Sequence, residues 1–200
     1  LDDLEKCVDV IADFTVRSID LGHVVTADGS ERYFLGVLSS GFDSCVNERA
    51  NVMTWPKGEA RYLVGILAEL RTFSAVPYTV TVDGQVHRDK GMLVAVGNGT
   101  SYGGGMNVCA GAEPDDGELT LTWLHQVSKF EFLRTFPKVY KGTHVTHPSV
   151  TQLNGTTITL EAPDQIAYAD GERIGPLPAE VTVQPGALKV IVPSDSRLGL

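Results

Sequence analysis

The 200 residues carry 16 Lys and Arg against 25 Asp and Glu, a net charge of -9, with 42% hydrophobic and 20% charged side chains. That composition is ordinary for a globular chain and is long enough for one sizeable core without covalent staples. The acidic balance argues against a nucleic-acid partner, which needs a basic stripe, and means that net charge cannot hold the chain on an anionic membrane, although a local patch can. Three cysteines, Cys7, Cys45 and Cys109, with no CxxC pair, read as small buried thiols of a reducing compartment rather than a disulfide framework or zinc knuckle. No run of about 20 apolar residues is present to span a bilayer as a helix. No repeat, linker tract or signal-peptide pattern occurs, and the first residues, without an initiator Met, open in helical spacing, as part of a longer chain would.

Leu4, Cys7, Val8, Ile11 and Phe14 recur at helical spacing, so residues 2–14 are predicted as a helix, with Asp2 and Asp3 suited to its first turn. Residues 16–26 switch to strand composition, Ala27-Asp28-Gly29-Ser30 supplies a turn, and Tyr33 to Ser39 reads as a second strand of a hairpin. Phe42 to Met53 suits a short helix. Glu59 to Phe73 is the best helix in the chain, with Tyr62, Leu63, Ile66, Leu67, Leu70 and Phe73 on one stripe. Tyr78 to Val82 alternates with period two before an Asp83-Gly84 turn, and Gly91 to Val96 has the continuous apolar run of a buried strand.

Gly97 to Gly117 is glycine-rich and loop-like. Leu119 to Leu124 alternates again, and Lys129 to Tyr140 is predicted as a helix interrupted by Pro137. Beyond Thr143 the pattern is nearly all β: strands at 156–160, 165–168, 181–183 and 188–192, separated by turns at Asn154-Gly155, Asp170-Gly171 and Pro185-Gly186. Short strands at this spacing predict a mainly β domain, a sandwich or partly closed barrel, with two or three helices at one end.

Four constellations can carry chemistry. The loop Gly97-Asn98-Gly99-Thr100-Ser101-Tyr102-Gly103-Gly104-Gly105 has no phosphate-loop spacing, and reads better as backbone approaching a substrate or another chain. The acidic turn Glu113-Pro114-Asp115-Asp116-Gly117-Glu118 is either solvated or bound to a hard cation. Asp170-Gly171-Glu172 follows an apolar strand; a Glu so placed can serve as a general base, although such turns are commonly surface decoration. In a strand-like stretch Asp170 would share its face. His144 and His147 have metal-ligand spacing only on a helix, and their neighbours Thr143, Val145, Thr146 and Pro148 favour an extended chain instead. Between Lys129 and Lys141, basic residues alternate with Phe130, Phe132, Phe136 and Tyr140. Such a segment either lies at a membrane interface or packs its aromatics into the core behind a solvated basic edge.

In order along the chain, Ile19-Asp20-Leu21-Gly22, Tyr33-Phe34-Leu35, Gly41-Phe42-Asp43, Val96-Gly97-Asn98, Asp115-Asp116-Gly117-Glu118-Leu119, Thr143 to Pro148 and Tyr168 to Glu172 resemble the second domain of the diacylglycerol kinase and sphingosine kinase superfamily. The soluble bacterial lipid kinases are the best match. The resemblance implies the β-sandwich-like second domain of the NAD kinase and diacylglycerol kinase fold. It implies a helix at 1–15 joining it to an N-terminal nucleotide-binding domain, and a β domain over 16–200. It implies transfer of the ATP γ-phosphoryl group to a lipid hydroxyl, diacylglycerol becoming phosphatidic acid. Glu172 matches the proton acceptor and Asp20 a second catalytic carboxylate that assists the metal or the base. The acidic turn matches a structural Mg²⁺ site, with Asp116 binding through its carboxylate and Glu113 and Glu118 mainly through backbone carbonyls.

The nucleotide domain's GGDGT-type and GTGNDFA-type motifs do not occur in these 200 residues, so the ATP site is expected on that domain and the isolated chain is expected to be inactive. The resemblance further implies a cytoplasmic protein touching the inner membrane face peripherally, with no nucleic-acid partner and a homodimer left open. Alternatives are an NAD kinase-like or sphingoid lipid kinase half, and a non-catalytic lipid-binding β-sandwich.

Overall fold

Period-two patterning through most of the chain produces eleven strands in the computed structural model, which describes residues 4–53 and 59–193. In chain order the elements are α1 (Leu4–Asp13), β1 (Val16–Thr26), β2 (Glu31–Phe34), β3 (Val37–Gly41), α2 (Phe42–Val52), α3 (Glu59–Thr72), β4 (Val76–Val82), β5 (Gln85–Gly97), β6 (Leu119–His125), α4 (Lys129–Thr135), two 3-10 turns (Phe136–Lys141 and Thr143–Thr146), β7 (Val150–Gly155), β8 (Thr157–Glu161), β9 (Ile166–Ala169), β10 (Glu172–Pro176) and β11 (Ala179–Ile191). Asp2 and Asp3 lie outside the described residues, as do the side chains of Tyr62, Leu63 and Leu67.

The mainly β expectation holds, with four α-helices among the described residues where two or three were expected. All pairings are antiparallel, and β5 belongs to two layers. Its residues 85–91 pair with β4, and its residues 91–97 run between β3 and β6. The strand turns from one layer into the other at Gly91, where a Cβ would stand 2.3 Å from Trp123 Nε1. One layer is therefore β10-β9-β3-β5-β6-β7 and the other β5-β4-β8-β11-β1-β2. Opposite the β5 corner the layers approach again, where the Ala27 N–H donates to Pro176 O at 3.2 Å.

Side chains from both layers fill the space between them. Val24, Leu38, Val80, Val94, Leu121, Ile158, Leu160 and Val181 are inaccessible to solvent, each contributing about 1.5–3 kcal/mol by burial. The β3–β5–β6 layer is buried on its outer face too, which is why β3 has no exposed residue. There α2, α3 and α4 cover it through Phe42, Val46, Ile66, Leu70 and Phe132, while Met106, Val108 and Cys109 of the glycine-rich loop cover the rest.

Several boundaries differ from the sequence reading. Tyr33 to Ser39 is two strands, because Leu35 and Gly36 turn their N–H groups to a carboxylate across the fold. Asn154-Gly155 ends β7 rather than making a turn. The chain crosses layers at Thr156, whose N–H and that of Thr157 donate to the Asp83 carboxylate. Pro185-Gly186 is a bulge inside the continuous strand β11. Residues 143–146 form a 3-10 turn, not an extended stretch. Of the three free thiols only Cys109 is fully buried, and burial pushes it up to about 12; Cys7 and Cys45 are half-buried.

Candidate active site

Segments far apart in sequence meet in one hydrogen-bonded knot. Asp20 sits in β1 opposite the β11 bulge and is 3% exposed. Its Oδ1 accepts from the Gly186 N–H and its Oδ2 from the Gly117 N–H, each at 2.7 Å. Its own N–H donates to Pro114 O at 2.7 Å, and its carbonyl accepts from Asn98 Nδ2 at 2.9 Å. The same Asn98 amide donates to Leu35 O at 3.1 Å, while the N–H groups of Asn98 and Gly99 donate to Gly36 O. Gly22, two residues past Asp20, leaves room for the Phe34 ring, which a Cβ would overlap at 2.1 Å. The motifs around Asp20, Phe34, Asn98 and Asp116 are thus parts of one built structure.

Asp170 closes the other side of the knot. Its Oδ2 accepts from Leu35 N–H at 2.8 Å, and its Oδ1 from Gly36 and Val37 N–H at 3.0 Å each. Gly36 permits the approach: a Cβ there would lie 2.8 Å from Asp170 Oδ1. Asp170 and Gly171 have φ of 49° and 84°, the paired left-handed values of a two-residue hairpin turn between β9 and β10. The stretch is therefore not strand-like, and the expectation that Asp170 shares the face of Glu172 is corrected. Asp170 is a structural cap turned towards the β2–β3 link.

Glu172 begins β10 opposite Ala169, exposed, with no side-chain hydrogen bond or ion pair among the described residues. Its hairpin is held from three directions. Leu38 and Ser39 of β3 pair with Ala169 and Tyr168, Asp170 caps residues 35–37, and Glu48 of α2 receives Tyr168 Oη at 3.4 Å and Arg173 Nε at 3.3 Å. An exposed carboxylate thus rises from a well-anchored base.

One space adjoins this hairpin, and a second meets the first at Tyr102. A cleft of about 440 Å³ is lined by Asn47, Ser101, Tyr102, Gly103, Asp170 and Gly171. Glu172 follows these last two residues directly in the chain but does not itself line the cleft. Behind it, under the helices, is a cavity of about 80 Å³ walled mainly by apolar groups, including Phe42, Val46, Leu93, Met106, Phe132 and Phe136. Tyr102 borders both. Asp43, 5% exposed, lines the cavity and accepts from Ser39 Oγ at 2.8 Å and from Asn47 Nδ2 at 3.2 Å, which links it to the cleft. The sequence reading singled out the segments of Tyr102 and Asp43 but gave neither residue a role. What sets Asp43 apart is its burial, which the short run Gly41-Phe42-Asp43 does not reveal.

The acidic turn is less assembled. Glu113, Asp115, Asp116 and Glu118 are all exposed, and Asp116 Oδ1 accepts from the Glu118 N–H at 2.9 Å. Among the described residues no three His, Cys, Asp or Glu side chains converge as metal ligands. A cation here would have to rest on the Asp116 carboxylate with backbone oxygens, not on a cage of side chains. His144 and His147 both line the apolar cavity. Each has a structural partner: His144 Nε2 lies 3.0 Å from Val108 O, and His147 is 3.3 Å from Glu131 and accepts from the Ser149 N–H.

Residues 36–192 match the family model described as the YegS C-terminal NAD kinase beta sandwich-like domain. A diacylglycerol kinase of Mycobacterium tuberculosis is 39% identical over 190 residues, covering 94% of this chain and 62% of that protein. A Pseudomonas fluorescens protein named "Probable lipid kinase YegS-like" is 27% identical, covering 94% of this chain and 61% of its own. A crystal structure of a diacylglycerol kinase from Bacillus anthracis superimposes with a TM-score of 0.65 at 17% identity, over 97% of this chain and 60% of that one; it supports the fold alone. The chain thus spans about three fifths of the length of the curated relatives it matches.

Proposed function

This chain belongs to the YegS C-terminal NAD kinase beta sandwich-like family, and on that premise we propose that it is the lipid-side part of an ATP-dependent lipid kinase that phosphorylates the free hydroxyl of diacylglycerol to give phosphatidic acid. One observation carries the reading: an apolar cavity adjoins a polar cleft at the Asp170-Gly171 turn, and Tyr102 is their common wall. A glycerolipid has that same division into hydrocarbon tails and a hydroxyl-bearing head. At about 80 Å³ the cavity is too small for a whole acyl tail, so α4 and the following 3-10 turn move outward to admit one.

The acceptor hydroxyl then lies in the cleft, and Glu172 takes its proton as the hydroxyl oxygen attacks the γ-phosphorus and ADP leaves. An alcohol is a weak nucleophile near neutral pH. Positioning and charge neutralisation do most of the work of phosphoryl transfer, so one carboxylate base in a closed site suffices. ATP is held by a nucleotide-binding domain outside these residues. Mg²⁺ would sit on Asp116 and the carbonyls of Glu113 and Glu118, supplying positive charge to an acidic turn. Asp20, which anchors Gly117 beside it, assists as a positioning residue through that turn.

Varying acyl length tests the reading. Val139→Phe narrows the cavity without touching the hairpin. In the full-length protein it should lower kcat/KM for long-chain diacylglycerol by about tenfold relative to a short-chain substrate. An unchanged chain-length profile would remove the cavity from the account.

A further inference from the structure

We propose that the outer face of α4 and its 3-10 continuation is the surface that docks on an anionic phospholipid membrane. The segment from Lys129 to Lys141 has two faces. Phe132, Thr135, Phe136 and Val139 point inward and wall the apolar cavity. Phe130, Leu133 and Tyr140 point outward and are 76%, 46% and 53% exposed, an unusual share of large apolar groups for so short a stretch. The aromatics expected to pack into the core therefore divide: Phe132 and Phe136 do so, while Phe130 and Tyr140 face outward.

The occupant follows from charge. Lys129, Arg134, Lys138 and Lys141 are exposed on this segment within a chain of net charge -9. Its one acidic residue, Glu131, is half-buried and engaged with His147 at 3.3 Å. Lys129 Nζ donates to Arg71 O, but Arg134, Lys138 and Lys141 make no ion pair among the described residues. Large apolar groups interleaved with unneutralised cations suit the boundary of an anionic leaflet, where acyl chains meet negative headgroups. A protein partner would have to match the same alternation, whereas a leaflet supplies it everywhere.

Position adds a reason. The segment that meets the leaflet is also the wall that must move for a lipid tail to reach the cavity. Residues inserted outward at Phe130 and Leu133 would draw that wall away from α3 and β6, opening the cavity towards the bilayer rather than towards water. This coupling rests on the lipid-kinase reading; the docking itself does not.

The test separates the two. Full-length protein would be sedimented with vesicles of phosphatidylcholine alone and of phosphatidylcholine mixed with phosphatidylglycerol. Two variants would be compared, Lys138→Glu with Lys141→Glu, and Phe130→Ser with Leu133→Ser. All four side chains are exposed and none lines the cavity, so circular dichroism should be unchanged. The charge variant should partition at least about tenfold more weakly onto anionic vesicles and lose the salt sensitivity of binding. The apolar variant should bind both vesicles less. Phosphorylation of a monomeric short-chain diacylglycerol should be unaffected by either. Sedimentation equal to the unsubstituted protein on both vesicles would overturn the docking proposal. Normal vesicle binding that responds to the variants, with no lipid phosphorylated, would leave docking standing and refute the kinase reading.

Discussion

Asp20, Asp170 and Glu172 look alike in sequence and stand in different physical situations. Asp170 satisfies three backbone N–H groups of residues 35–37, so Asp170→Ala strands them. Urea unfolding should show a loss of about 2 kcal/mol, with Asp170→Asn recovering part of it. Asp20 is buried under two charge-assisted bonds from Gly117 and Gly186. Its replacement by Ala should loosen the acidic turn and weaken any Mg²⁺ effect, whereas Glu172→Gln should leave stability unchanged. Asp116 can be checked separately. If it holds Mg²⁺, melting in excess Mg²⁺ should exceed melting in chelator, by about 2.7 kcal/mol at 100-fold saturation. Asp116→Ala should abolish the difference. His144 gives a pH signature. Burial holds its imidazole below the usual range, so the fold prefers the neutral ring. That preference is fully present above the unfolded value of 6.5 and is lost as pH falls through it towards the folded value. Between neutrality and about pH 5, His144→Gln should therefore show a shallower loss of melting temperature than the unsubstituted chain.

At the scale of elements, most of what alternation and helical spacing can say was legible in the residues. β1, β4, β6, α2, α3 and the break at Pro137 fall where periodicity puts them. The misses share a cause. Leu35-Gly36 and Pro185-Gly186 break or bulge a strand because a carboxylate from another segment takes the N–H groups of Leu35, Gly36 and Gly186, and that partner is up to 135 or 166 residues away in the chain. Local patterning contains no trace of it. Residues 172–176 and 150–155, too, become strands by pairing with β9 and β6 rather than by their own composition. The candidate site was legible as a set of motifs but not as a geometry. The cleft and cavity exist only because α2, the glycine-rich loop and the β9–β10 hairpin converge on Tyr102, Asn47 and Asp43. The same convergence explains why α4 can be both cavity wall and outer surface: Ser128 Oγ caps it by accepting from the Glu131 N–H, which sets its start and hence which residues face in.

At the scale of the whole molecule, a two-layer scaffold brings a hydrocarbon space, a polar cleft and an exposed carboxylate together, and under the proposed function a domain outside these residues supplies the nucleotide. It follows that the isolated 200-residue chain should show no saturable binding of ATP in calorimetry, while retaining the melting behaviour of a folded domain. The central claim is that Glu172, at the rim of that assembly, takes the proton from a lipid hydroxyl. Turnover of diacylglycerol with radiolabelled ATP by full-length protein, unsubstituted and Glu172→Gln, tests it most directly. The account predicts a fall in kcat of about 10²- to 10⁴-fold, with the KM for ATP and the melting temperature unchanged. Near-normal phosphatidic acid formation by Glu172→Gln would contradict it.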